Sequence, residues 1–201
     1  MGALTGHRSA RALHAKREAR WIASARAGDG EAFDALVRLH FAPVYSLLFR
    51  LVGNHEDAED LAQDCFVKAQ RALKWYRAEA SFGTWIFRIA VSLSRDHFRG
   101  TQRHTARLDA PAQVPAPGSR GAEPHDEAVR KELVRALQAG MERLPHRLKA
   151  ALVMRTHEGL EYRQIASVLG ITPHTARVYV MKARRKLEGW LKPWTDEGTR
   201  P

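Results

Sequence analysis

Cysteine is almost absent from this chain: Cys65 is the sole example among 201 residues. That excludes an internal disulfide framework and a cysteine-rich zinc site. Cys65 sits between apolar neighbours in a helical pattern, so a small buried hydrophobe is expected there. The ten histidines are scattered. His55-Glu56 and His157-Glu158 lack the second histidine of a helical zinc motif. No uninterrupted run of about 18 apolar residues is present, so no membrane span is expected. The N-terminal stretch MGALTGHRSARALHAKREAR lacks an apolar h-region and is not expected to be a signal peptide, which points to a cytoplasmic location. Strand-like alternation and internal repeats are missing too. Acidic residues are outnumbered, 22 Asp and Glu against 33 Lys and Arg, giving a net charge of +11 and a pI of about 10.4. Such a balance suits a polyanionic partner, either nucleic acid or an anionic membrane surface.

What the chain does contain is helical periodicity. Hydrophobic residues make up 44% of it, and its length accommodates two domains of about 100 residues each. The strongest signal runs from Glu161 to Glu188. Tyr162, Ile165, Ala166 and Leu169 recur at i, i+3, i+4 and i+7, one apolar stripe on a short helix. Gly170 follows as a stop and Thr172 as an N-cap, with Pro173 at the first position of the next helix. That helix carries its own inner stripe, Ala176, Val180, Ala183 and Leu187. His174, Val178, Met181, Lys182 and Arg185 point the other way, with Arg177 and Arg184 on the flank. A helix-turn-helix with a cationic outer face has the form that lies in a major groove.

Upstream, residues 1–16 form a basic arm expected to fray. A helix should then run from near His14 to the loop at Gly28-Asp29-Gly30. Phe33, Leu36, Val37 and His40 give helical spacing, as do Val44, Leu47, Leu48 and Leu51; Pro43 either kinks one long helix or opens a second. Gly53 stops it and Asn54 caps the next. There Ala58, Leu61, Ala62, Cys65, Ala69 and Leu73 form the inner stripe, while Asp57, Asp60 and Asp64 fall on the opposite face. WYRAEASF, from Trp75 to Phe82, is a break. Ser81 is placed to cap a helix over Phe82 to Arg99, with Ile86, Ile89, Ala90 and Leu93 inward. Trp85, Arg88, Ser92, Arg95 and Arg99 share another face, and an aromatic interleaved with cations suits single-stranded nucleic acid. A Pro- and Gly-rich linker over 104–125 marks a domain boundary. Val129, Leu133, Ala136, Leu137 and Met141 follow as a helix. Pro145 opens another with Leu148, Ala151, Leu152 and Arg155, closed by Gly159. The whole reads as all-α: two small helical bundles joined by a flexible linker, the second containing the helix-turn-helix.

Three segments, in order, resemble the extracytoplasmic-function sigma factors of bacterial RNA polymerase. DAEDLAQDCF, Asp57 to Phe66, is similar to that family's segment for binding the polymerase clamp. SFGTWIFRIAVSLSRDHFR, Ser81 to Arg99, is similar to its promoter-melting segment. Leu144 to Leu187 resembles the domain that reads the upstream promoter element. The resemblance implies a sigma region 2 domain over 17–103, a region 4 domain over 126–192, and a C-terminal tail over 193–201. It implies polymerase contacts through Asp57, Asp60, Leu61, Gln63, Asp64 and Phe66, on the clamp helices of the largest subunit, with the flap of the second-largest subunit as a further contact. It implies capture of an unpaired base of the downstream element by Tyr76, Arg77, Glu79, Ser81, Phe82, Trp85, Arg88, Ser92, Arg95 and Arg99. Duplex reading falls to Arg177, Val178, Met181 and Lys182 at the bases. His174 also belongs to that helix, and Thr175, Tyr179, Arg184 and Arg185 would lie on phosphates. Core RNA polymerase, promoter DNA and an anti-sigma factor are the implied partners; no cofactor, metal or catalytic residue is implied. The chain departs from the family's usual residues at His174, Val178, Tyr179 and Ser92, and Val178 offers a base only methyl contact.

Three other functions compete. A conventional helix-turn-helix regulator acting without polymerase accounts for the second bundle and leaves the acidic helix and the Trp85 face unused. An enzyme with a divalent metal on Asp57, Glu59, Asp60 and Asp64 needs a second set of ligands that the spacing does not supply. A membrane-surface protein needs an amphipathic N-terminal helix with a bulky apolar face, which the basic arm lacks.

Overall fold

The computed structural model describes residues 3–105 and 124–195, with side chains over 15–100 and 131–192. All regular structure among the described residues is helical: α1 Ala3–Arg26, α2 Gly30–Val52, α3 His55–Ala72, α4 Phe82–Thr105, α5 Pro124–Glu142, α6 His146–Thr156, α7 Tyr162–Leu169 and α8 Pro173–Thr195. A 3₁₀ turn, Leu73–Trp75, follows α3. The linker expected over 104–125 lies mostly outside the described residues, as does most of the expected tail.

Helices α1 to α4 pack as one group and α5 to α8 as another. In the first, Asp29 caps α2 by accepting from the Ala32 N–H at 3.1 Å. Pro43 sits inside one continuous α2 rather than opening a second helix. Gly53, at φ 83°, ends it in the left-handed region, and Asn54 then accepts from the Glu56 N–H at 2.9 Å to start α3. The core is filled by Leu36, Val44, Leu47 and Leu48 from α2, Ala58, Ala62 and Cys65 from α3, and Ile86 and Ala90 from α4, all fully buried. The Cys65 Sγ–H points at the Ile86 carbonyl, 3.6 Å away, and burial pushes the thiol pKa up to about 12.

Two expectations change here. The basic arm is helical from Ala3 onward, continuous with the helix expected from His14. Its Ala- and Arg-rich composition favours helix, so no stop signal separates the two. In addition, α2 is long and apolar enough by composition to cross a membrane, with a mean hydropathy of 1.4. Counting uninterrupted apolar residues overlooks it because Asp34 and Arg38 lie within. Its apolar side is the centre of the helical core just described.

In the second group, Gly170 at φ 64° turns the chain between α7 and α8. Thr172 Oγ1 accepts from the Thr175 N–H at 3.1 Å. Glu161 and Gln164 close a reciprocal capping box on α7. Helix α5 crosses α8 at Gly140, where an added Cβ would lie 3.0 Å from Leu187 Cδ2. Leu137 of α5, expected on the inner stripe, is exposed instead. The tight glycine crossing fixes which side of α5 meets α8.

Candidate nucleic-acid and polymerase interfaces

Three surfaces carry the expected site residues. On α3, Asp60, Gln63 and Asp64 are exposed along one side. Asp57 leans toward α4, half-buried, its Oδ2 3.5 Å from His97 Nε2. Leu61 and Phe66, which the resemblance places among the polymerase contacts, are buried in the core, Leu61 on the inner stripe where its spacing puts it; Phe66 stacks on Phe41 at 6.0 Å between ring centroids. Helical periodicity explains the difference, because both lie on the Ala58–Cys65 side of α3.

The second surface is the turn between α3 and α4. Ser81 Oγ accepts from the Thr84 N–H at 3.2 Å and pairs with Thr84 Oγ1 at 2.8 Å, starting α4. The Tyr76 hydroxyl donates to the Ala80 carbonyl at 2.7 Å, which folds the loop back on itself. Tyr76, Phe82 and Trp85 form a triangle of rings with centroids 5.1, 5.4 and 5.8 Å apart. Phe82 and Tyr76 are buried, while Trp85 is half-buried. Of the three rings, Trp85 is the most accessible. Arg77, Glu79 and Ser81 are exposed around it. Along α4, Arg88 and Arg99 are exposed and Ser92 and Arg95 half-buried. Arg95 Nη2 reaches Ser92 Oγ and Asp96 Oδ1, both at 3.3 Å. Arg88 points away from the loop toward α7, where its Nε and Nη2 each make a 2.7 Å hydrogen bond to Ser167.

The third surface is the outer side of α8. Ala176, Val180, Ala183 and Leu187 are all buried, so the expected inner stripe is the real one. His174, Arg177, Met181, Lys182, Arg184 and Arg185 are exposed on the other side. Thr175, Val178 and Tyr179 are half-buried, and Tyr179 packs on the core.

The structure adds Arg155, Arg163 and Trp75, which sequence reasoning did not place at a site. Arg155, Arg163, His174 and Arg177 line a concavity of about 470 Å³ where α7 and α8 begin. Arg155 is fixed there by a 3.0 Å bond to the Leu160 carbonyl and by lying 4.9 Å over the Tyr162 ring. Arg163, in the first turn of α7, is exposed. A search limited to the recognition helix cannot find either arginine; the first-turn position of Arg163 was the available signal. Trp75 is the other omission: 68% exposed, beside the aromatic triangle, with Lys74 Nζ 4.2 Å from its ring centroid.

The Sigma-70 region 2 family matches residues 36–104, and Sigma-70, region 4 matches residues 134–187. The RNA polymerase sigma-H factor of Pseudomonas aeruginosa is 31% identical over 176 residues, 85% of this chain and 91% of that protein. The ECF RNA polymerase sigma-E factor of Haemophilus influenzae is 31% identical over 172 residues, 83% and 90% of the two chains. The chain belongs to the extracytoplasmic-function sigma factors of the sigma-70 family. A solved structure of the sigma factor RpoE from Bartonella quintana, in complex with the anti-sigma factor NepR, shares the fold at a TM-score of 0.63 and 20% identity, covering 80% of this chain and 96% of that one. As a sigma factor the chain is a promoter-specificity subunit of RNA polymerase: it binds core enzyme, recognises promoter DNA and promotes strand opening. The two matched segments divide along the helical groups, α2 to α4 in one and α5 to α8 in the other.

Proposed function

We propose that this sigma factor divides its work among the three surfaces as follows. Asp60, Gln63 and Asp64 of α3 meet basic residues on the clamp helices of the polymerase largest subunit, with Asp57 at the margin. Leu61 and Phe66 hold that face in place from the core. Charge pairs at such a rim steer encounter and fix register more than they add affinity. The loop from Trp75 to Ser81 receives an unpaired base of the downstream element against Trp85, with Tyr76 and Phe82 as support and Trp75 as a second stacking ring. Stacking on an aromatic contributes about 1–3 kcal/mol per base, enough to offset extrusion. Arg88, Ser92, Arg95 and Arg99 follow the strand along α4.

Arg177, Val178, Met181 and Lys182 read the upstream element as duplex, and His174, Arg184 and Arg185 sit at its phosphates. Arg163, with the N-terminus of α8 beside it, holds a further phosphate; Arg155 braces the wall behind. Thr175 is spent on the cap of α8, and Tyr179 on packing. The factor performs no covalent chemistry of its own and works in the cytoplasm, where an anti-sigma factor restrains it. The observation that supports this division is the pairing, in one chain, of an exposed acidic side on α3 with an exposed cationic side on α8.

Charge reversal tests it. Asp60→Lys with Asp64→Lys should abolish pull-down of core polymerase and promoter-dependent RNA synthesis, while the circular dichroism of the factor stays helical. If that variant assembles holoenzyme as the unaltered chain does, the polymerase face has been placed on the wrong helix. A conventional regulator would instead hold a palindromic duplex alone, independently of both aspartates.

A further inference from the structure

Helix α1 packs along α2 and against the 3₁₀ turn that leads into the loop between α3 and α4. Glu18 is the sole acidic residue of α1, and its side chain is half-buried. His40 Nε2–H, from α2, donates to Glu18 Oε1 at 2.7 Å. The His40 ring lies 5.1 Å from the Phe82 ring between centroids, tilted 51° to it. It also closes on the first turn of α4: a Cβ added at Gly83 would stand 3.4 Å from His40 Cε1 and 3.6 Å from Nδ1. The imidazole thus fills the space that a side chain at position 83 would take. Tyr76 stands close by; its phenol is held above the usual pKa of 10, first by burial and then by the charge of Glu18. At the far end of α1, Arg26 Nη2 donates to the Lys74 carbonyl at 3.4 Å. Helix α1 therefore holds the loop twice, at Lys74 where the chain enters it and, through His40, at Phe82 and Gly83 where the chain leaves it.

We propose that Glu18 and His40 are positioning residues for capture of the unpaired downstream base: the pair sets the place of Phe82, and through it the plane that Trp85 offers to the base. Neither residue touches the strand. Phe82 and Tyr76 lie 5.4 and 5.1 Å from the Trp85 ring, so a shift of either is passed to it. A binding site works when its contact groups are held within about 0.5 Å by neighbours whose own rotamers are fixed. A hydrogen bond to a carboxylate is short and directional, and here it fixes the turn of the imidazole against Phe82 and Gly83. Without Glu18 the ring is free to rotate, and the first turn of α4 loses its backing. Glu18 lies ahead of the segment 36–104 that the region 2 family matches. The N-terminal helix is thereby joined to a site whose exposed residues come from the loop and α4. The proposal rests on the assignment of this loop to the unpaired base.

The test uses holoenzyme made with the full-length chain and forked promoter duplexes, in which each unpaired base of the downstream element is replaced in turn by an abasic site. Trp85→Ala finds the captured position, as the one whose abasic fork it binds no more weakly than the unaltered factor does. On the intact fork, Glu18→Ala and His40→Ala should each lower affinity roughly fivefold, and on that abasic fork they should change nothing. Glu18→Gln keeps an acceptor for His40 and should recover most of the loss. Adding Glu18→Ala to Trp85→Ala should cost nothing further, since both act on one contact. Pull-down of core polymerase should be unchanged throughout. His40→Ala opens a space in the packing, so helical content and thermal midpoint are followed alongside; Glu18→Ala, at a partly exposed site, carries the test if His40→Ala fails to fold. The proposal is overturned if Glu18→Ala binds the intact fork as the unaltered factor does, or if its loss persists on the abasic fork. A loss that adds in full to that of Trp85→Ala, or a Glu18→Gln as weak as Glu18→Ala, overturns it too. Should Trp85→Ala prove indifferent to the base at every position, the capture reading falls and takes the positioning pair with it. Should Trp85→Ala behave as expected while Glu18→Ala does not, the positioning pair alone falls.

Discussion

At the scale of single residues, the division between positioning and reading gives the sharpest test. Arg177 is exposed in the second turn of α8 and Arg163 in the first turn of α7, and both line the concavity where the two helices begin. A base contact specifies and a phosphate contact positions. Arg177→Ala should therefore cost about 1–3 kcal/mol on the cognate upstream element and relax preference at one base pair. Arg163→Ala should weaken every sequence alike and reduce the slope of log affinity against log salt by about 1. Competition binding of holoenzyme to a panel of singly substituted promoters, at several salt concentrations, distinguishes the two. If Arg163→Ala changes base preference, that arginine reads rather than grips. The same scale shows where sequence reading runs short. The outward set on α8 was legible because helical periodicity separates inner from outer residues without knowing the partner. The resemblance assigns Leu61, Phe66 and Phe82 to ligand contact, and the structure buries all three; for Leu61 the inner stripe already said so. Motif similarity names a segment and not the side a residue faces. Arg155 was legible only as a member of α6, since its fixation on the Leu160 carbonyl and the Tyr162 ring depends on the turn between α6 and α7.

Among the elements, start and stop signals were the most transferable part of the sequence. Asn54, Ser81, Thr172 and Gly170 all act as their chemistry predicts, because a cap is a local bargain between a side chain and the nearest orphan N–H or carbonyl. Pro43 was ambiguous for the complementary reason. Whether a proline kinks or opens a helix depends on what packs around it, and here Phe33 and Leu36 before it and Val44, Leu47 and Leu48 after it join both halves of α2 to one core. Removing a cap should be felt as stability alone. Thr172→Ala should lower unfolding free energy by about 1 kcal/mol, read as a downward shift of the thermal midpoint. An unchanged midpoint would mean that packing of Ala176 and Val180 suffices to start α8.

Across the whole molecule, the contact between groups is the property least visible in the sequence. Lys149 reads as a surface cation on α6, and nothing nearby in the chain announces the Leu51 carbonyl as its acceptor. The same interface carries a pH dependence. His146 is held to about 4, well below its ordinary 6.5, first by burial and then by Lys149, Arg95 and Arg147, with Asp96 opposing them. Ser94 and the Phe98 ring also face it from α4. A base whose pKa is lowered in the packed state leaves that state at full strength above pH 6.5 and weakens it as the pH falls toward 4. Acidification from neutrality to about pH 5 should thus cost the packed arrangement about 1–2 kcal/mol. The radius of gyration should rise over that window, and His146→Phe should flatten the response; an unchanged profile in that variant would remove His146 as its source.

The lone thiol has a practical corollary. Cys65 is sealed inside the first group with its proton held far above neutrality, so maleimide dyes and mild oxidants pass it by in the native protein. Probes can be installed at added surface cysteines on the natural background without competition from the native thiol.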